Sequence, residues 1–144
     1  MLIIKEINFN YYKKEILKLR KSVWQQNNLY PLPKVLDTCF YDEFDDNAYH
    51  WVAFDKNNNT AASARLSKHL NLNSLSGHQL TDDSDIAGIA FPIASLSRLV
   101  IHKSFQGYGL EERFDNERIT KAKQLECKSV CIITYGQRTK KNYG

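Results

Sequence analysis

The chain has 144 residues and a net charge of +4, with 42% hydrophobic and 25% charged residues. That is the size of one domain with a real core, and the charge is too mild to argue for nucleic acid, although it favours anionic ligands near the surface. No apolar run approaches the roughly 18 residues of a membrane span, and Cys39, Cys127 and Cys131 lack paired or metal spacing, which fits free thiols in a reducing cytoplasm.

Leu2–Ile7 reads as a first strand and has no targeting-peptide layout. Asn8 or Asn10 is placed to cap a helix. Tyr12, Ile16, Leu19 and Val23 then fall on one helical face, with Lys13, Lys14, Lys18 and Lys21 on the others. Asn27, Asn28 and the Pro31-Leu32-Pro33 pair end it. Lys34–Asp46 is an acidic connection with room for a short helix. Tyr49–Phe54 is apolar on both faces, as in a central strand of a covered sheet. Asp55–Asn59 is a turn cluster. Ala61–Ser67 alternates Ala62, Ala64 and Leu66 against Ser63, Arg65 and Ser67, the pattern of a half-buried strand. Lys68–Pro92 is a long polar connection of the kind that is functional or mobile. Ile93–Ile101 is the next strand and Leu110–Glu126 a helix with a thin apolar side of Leu110, Phe114, Ala122 and Leu125. Ser129–Tyr135 is a last strand, and Gly136–Gly144 looks like the opening of one more helix.

Between the fourth strand and its helix lies Gln106-Gly107-Tyr108-Gly109. Glycine permits a sharp turn and close approach to a ligand. The first N–H groups of a helix have no partner within it and sit at its positive end. Strand, glycine loop and helix start together make an anion site, most often for phosphate. A Lys-Ser/Thr pair is missing, so this is no P-loop, and the third glycine of a dinucleotide fingerprint is missing too.

The string Arg98–Leu110 resembles motif A of the GNAT superfamily of acyl-CoA-dependent N-acyltransferases. Ile101-His102 ends the strand, Phe105 supplies the aromatic, Gln106 opens the loop and Gly109 takes the central glycine slot. Lys103 stands where proline is usual, and Glu111 where the family has a small residue. The resemblance implies an α/β (α+β) fold, a mixed, mostly antiparallel sheet flanked by helices in the order β-α-(α)-β-β-β-α-β-(α). It implies one domain over 1–144, with the last two strands of the family absent after the fifth. It implies an N-acetyltransferase using acetyl-CoA (or CoA as its product) on a small-molecule or protein amine. The backbone of Leu99 and Ile101 would pair with the pantetheine arm, and Gln106, Gly107, Tyr108, Gly109 and Leu110 would hold the pyrophosphate. A non-catalytic, CoA-binding or oligomer-forming remnant of the fold is the alternative, and an acyltransferase using a longer acyl donor is a third reading.

No catalytic residue is assigned. The family's tyrosine acid falls in register on Lys140 or Lys141, with Tyr135 and Tyr143 nearby. Arg65 and Arg98 are candidates for substrate recognition, because arginine grips carboxylates with two donors. Arg20, Trp24, Asp42, Asp45, Ala64-Arg65-Leu66 and Ser97-Arg98-Leu99 together also resemble the acyl-homoserine-lactone synthases of the same core fold. Those carry glutamate three residues before the second arginine, where this chain has Ser95. His50, His69 and His78 lack metal spacing, and Asp82, Asp83 and Asp85 lack the EF-hand pattern, so no metal is expected. The apolar Val130–Thr134 run makes an edge that invites pairing, which implies a homo-oligomer whose contact covers it or a rearranged segment, such as one from Lys68–Pro92, lying over it.

Overall fold

The computed structural model of the chain describes residues 1–26, 40–71 and 89–132. Its elements are β1 (Ile3–Ile7), α1 (Phe9–Gln26), a 3-10 turn (Asp45–Asn47), β2 (Tyr49–Phe54), β3 (Thr60–His69), β4 (Ile93–Ile101), a second 3-10 turn (Lys103–Phe105), α2 (Leu110–Gln124) and β5 (Ser129–Ile132). The five strands form one sheet in chain order, β1 to β5. The first four are antiparallel and β5 runs parallel to β4, as its crossover through α2 requires. The expected mixed, mostly antiparallel sheet is therefore present. Residues 133–135 of the expected last strand, the helix expected over Gly136–Gly144, residues 72–88 of the long connection (with His78 and the three aspartates), Cys39, the proline pair and the tyrosine-acid register all lie outside the described residues.

Asn8 caps α1: its Oδ1 accepts from the Asn10 N–H at 3.0 Å, and its carbonyl accepts from the Tyr11 and Tyr12 N–H groups. Ile16, Leu19 and Val23 of the expected stripe are buried, and Phe9, Arg20 and Trp24 join them. α1 covers one face of the sheet through two clusters, Leu19–Val23–Trp24–Phe40–Val100 and Phe9–Ile16–Val52. α2 covers the other face, packing Leu110, Phe114 and Ala122 on Trp51, Ala53, Ala62, Ala64, Leu66, Ala94 and Leu96. The alanines let the helix approach closely. α2 stops in a Schellman motif: Glu126 turns left-handed at φ 60, its N–H reaches the Lys123 carbonyl, and the Cys127 N–H reaches that of Ala122.

Two readings change. β3 runs two residues beyond Ser67, because Lys68 and His69 pair with Ala94 and Ile93 and so leave the expected connection. Its Ser63-Arg65-Ser67 face is not wetted. All three are buried, because α1 and the 40–47 segment lie over that face. Between Ser63 and Arg65 the β3–β4 register shifts. Ser63 pairs with Val100 but Arg65 with Ser97, so β4 carries one extra residue in a bulge at Arg98 and Leu99. Arg98 adopts φ 55 there. The left-handed region costs a non-glycine residue about 1–2 kcal/mol.

Candidate active site

Asp42-Glu43-Phe44-Asp45 folds into a tight turn whose ends bond each other. The Asp42 N–H donates to Asp45 Oδ2 at 2.9 Å, the Asp45 N–H to the Asp42 carbonyl at 3.1 Å, and the Phe44 N–H to Asp42 Oδ1 at 2.9 Å. Both carboxylates are thereby aimed at the sheet. Arg20, 1% exposed, grips Asp45 with two donors at 3.0 Å each and also bonds the Phe40 carbonyl. Arg65, 2% exposed, reaches Asp45 at 3.0 Å, Asp42 at 2.5 Å and the Ser97 hydroxyl at 3.0 Å. Arg98 bonds the other Asp42 oxygen at 2.6 Å and lies over the Trp24 ring, 5.5 Å from its centroid.

The charges hold one another. Burial by itself would raise Asp42, but Arg65 and Arg98 outweigh it and bring its pKa down to about 2. Asp45 is lowered against the same burial by Arg20 and Arg65. Burial pushes Arg20 below its usual value, against the attraction of Asp45. His50, inside the same cluster, is pushed down to about 4, first by burial and further by Arg20 and Arg65, against the opposing contacts of Asp45. Its Nε2 lies 2.9 Å from the Asp45 carbonyl, which only accepts, so that nitrogen carries the proton.

Trp24 joins this cluster to a cavity of about 440 Å³. Val23 and Trp24 of α1, Leu99, Val100 and Ile101 of β4, Phe105, Gln106, Gly107 and Gly109 of the loop, and Leu110 and Glu111 of α2 line it. Six of the seven residues read from the sequence as cofactor-binding therefore converge on one cavity. Tyr108 is 66% exposed and does not line it. Gly107 and Gly109 hold φ 86 and 75, left-handed values that favour glycine. A Cβ at either would meet nothing within 4 Å, so the loop leaves room for a group to come close to its backbone. Gly109 is the N-cap of α2 and has no side chain to close the helix end, which leaves first-turn N–H groups for a ligand. Glu111 and Glu112 sit in that first turn, and Glu111 reaches the cavity.

Arg65 and Arg98 lie on the α1 face of the sheet, joined through Asp42; Arg65 is enclosed and Arg98 is the outer of the two. His102 caps the second 3-10 turn, its Nδ1 accepting from the Ser104 N–H at 3.1 Å. Among the described residues, no three His, Cys, Asp or Glu side chains gather as metal ligands, and no helix is long and apolar enough to cross a membrane. Arg118 of α2 escaped the sequence reading. It is fully buried, bonding the Arg65 and Ser97 carbonyls from the opposite face. The signal was available: Leu110, Phe114, Arg118 and Ala122 step by four along one helical stripe.

No protein-family model matches the sequence, and no curated protein does. Solved structures do match. A predicted acetyltransferase from Clostridium acetobutylicum, crystallised with acetyl-CoA, aligns over 94% of this chain and 82% of its own, with a TM-score of 0.65 at 13% identity. An acetyltransferase of the GNAT family from Staphylococcus aureus aligns over 93% and 74%, with a TM-score of 0.63 at 15% identity. The fold is the GNAT fold. Glucosamine-6-phosphate N-acetyltransferase from Arabidopsis thaliana shares it over 100% of this chain and 96% of its own, with a TM-score of 0.60 at 13% identity. Within that GNAT fold, the glycine loop and the bulged end of β4 in this chain border one cavity.

Proposed function

We propose that the chain is an acyltransferase that moves an acyl group, acetyl in the simplest case, from a CoA thioester to an amine. The observation that carries this reading is the single cavity shared by the end of β4, the Gln106–Gly109 loop and the first turn of α2. It presents backbone N–H groups and the positive end of a helix to an anion, beside glycines whose missing side chains leave open space. The neighbouring fold crystallised with acetyl-CoA supports the same ligand class.

Bound there, acyl-CoA supplies the activated acyl group as a thioester. The backbone of Gly107, Gly109 and Leu110 binds phosphate, and the backbone of Leu99 and Ile101 is placed to pair with an extended amide chain as one strand pairs with another. Val23, Trp24, Val100 and Phe105 wall the cavity with apolar surface, which excludes water from the reacting centre. On the α1 face, Arg98 orients the acceptor amine's own anionic or polar group, and Arg65 fixes Asp42 behind it. The proton that leaves the amine has no assigned acceptor among these residues.

Calorimetric titration with CoA and with acetyl-CoA tests the cavity. Thiol release from acetyl-CoA across a panel of primary amines tests the reaction. Saturable binding with thiol release is expected. Absence of heat at millimolar CoA overturns the assignment. Binding without thiol release for any amine supports the non-catalytic reading in its place.

A further inference from the structure

We propose that Arg118 is a positioning residue that holds the β4 bulge, and through it the Arg98 guanidinium, from the opposite face of the sheet. Arg118 lies two turns into α2, 1% exposed, at a stripe position where its neighbours Leu110, Phe114 and Ala122 are apolar. A guanidinium in such a place is costly unless its donors are used. Its two terminal nitrogens are used, one beside the bulge and one on its own helix. Nη1 donates to the Arg65 carbonyl at 3.2 Å and the Ser97 carbonyl at 3.4 Å, and Nη2 to Asp115 Oδ1 at 2.8 Å. Arg65 and Ser97 are cross-strand partners, and the register shift begins beside them.

The next residue on β4 is Arg98, in its left-handed conformation. Such a backbone persists only where its surroundings hold it. On the α1 face Asp42 and Trp24 hold the Arg98 side chain. On the α2 face Arg118 holds the carbonyls next to it. A planar fork reaches two carbonyls with one nitrogen and a carboxylate with another, in a fixed geometry that the single ammonium of lysine does not reproduce and an apolar side chain lacks altogether. The helix that starts at the glycine loop thus also sets where Leu99 and Val100 leave the bulge to line the cavity. The inference rests on the proposed function only in taking Arg98 to face the acceptor; the positioning itself is read without substrate.

Trp24 is the reporter. The chain has two tryptophans, so a Trp51→Phe background leaves Trp24 alone, with Arg98 over its ring. In that background Arg98→Ala should shift the indole emission. Arg118→Met should shift it in the same direction, Arg118→Lys should fall between it and the parent, and the double variant Arg98→Ala/Arg118→Met should move no further than Arg98→Ala. That non-additivity is the mark of one residue acting through the other. Circular dichroism checks the fold, and if Arg118→Met does not fold, Arg118→Lys carries the test. Parent-like emission in the folded Arg118 variants overturns the inference. So do shifts that simply add in the double variant, or an Arg98→Ala variant that leaves Trp24 unmoved. None of these readings depends on whether the protein binds CoA.

Discussion

Lowering the pH should destabilise this protein through one histidine. His50 is 1% exposed beside Asp45, Arg20 and Arg65, and its pKa falls from the ordinary 6.5 to about 4. The unfolded chain therefore takes up this proton first as pH falls. The stabilisation is complete above about 6.5 and is lost as pH drops towards 4. Between pH 7.5 and 4.5 the two pKa values give a loss of about 2–3 kcal/mol. For a domain of this size that is a fall in Tm of about 6–12 °C. Asp42, held near 2, adds little in this window, because at its ordinary value of 3.8 even the unfolded carboxyl stays mostly charged down to pH 4.5. The control is His50→Gln. Glutamine keeps an N–H donor for the Asp45 carbonyl and does not titrate. Urea denaturation of both proteins from pH 7.5 to 4.5 isolates His50, since groups outside its cluster cancel in the difference. The wild-type curve should fall more steeply than the variant's by the stated amount. Parallel curves would show that His50 is not held neutral by its burial, and the account of the cluster would fail with it.

Four further outcomes are expected. Gly109→Val should weaken CoA binding at least about ten-fold by calorimetry, because a β-branched residue resists φ 75 and its side chain enters the space facing the ligand. Glu111→Ala should tighten CoA binding, by about 1 kcal/mol or less, because it removes a carboxylate from the cavity wall; weaker binding would make Glu111 a contributor to the site. Arg98→Ala should raise the acceptor KM and leave CoA affinity close to wild type, and selective loss of CoA binding in a folded variant would contradict the acceptor role. Glu126→Gly should raise stability by about 1 kcal/mol in thermal melts, because glycine takes the left-handed C′ position of α2 without strain.

The sequence by itself determined the elements and the loop. Steps of three and four placed Ile16, Leu19 and Val23 on one face of α1, and apolar residues on both faces marked β2 as internal. Gly107 and Gly109 announced a backbone that only glycine adopts freely, and that is a local property. What sits across a sheet is not local. The alternation of Ser63, Arg65 and Ser67 predicted a wetted face, and the fold buried it, because α1 and the Asp42–Asp45 turn arrive from elsewhere in the chain and bring the carboxylates that let arginine go inside. The bulge was equally invisible. Nothing in Ser97-Arg98-Leu99 calls for an extra residue or a left-handed arginine; both follow from pairing with β3 on one edge and from Arg118 beneath. Periodicity reads which side of an element is apolar. Only the packed structure decides what covers the polar side, and here that cover makes a buried charge cluster out of residues that, taken one at a time, look like solvent-facing ones.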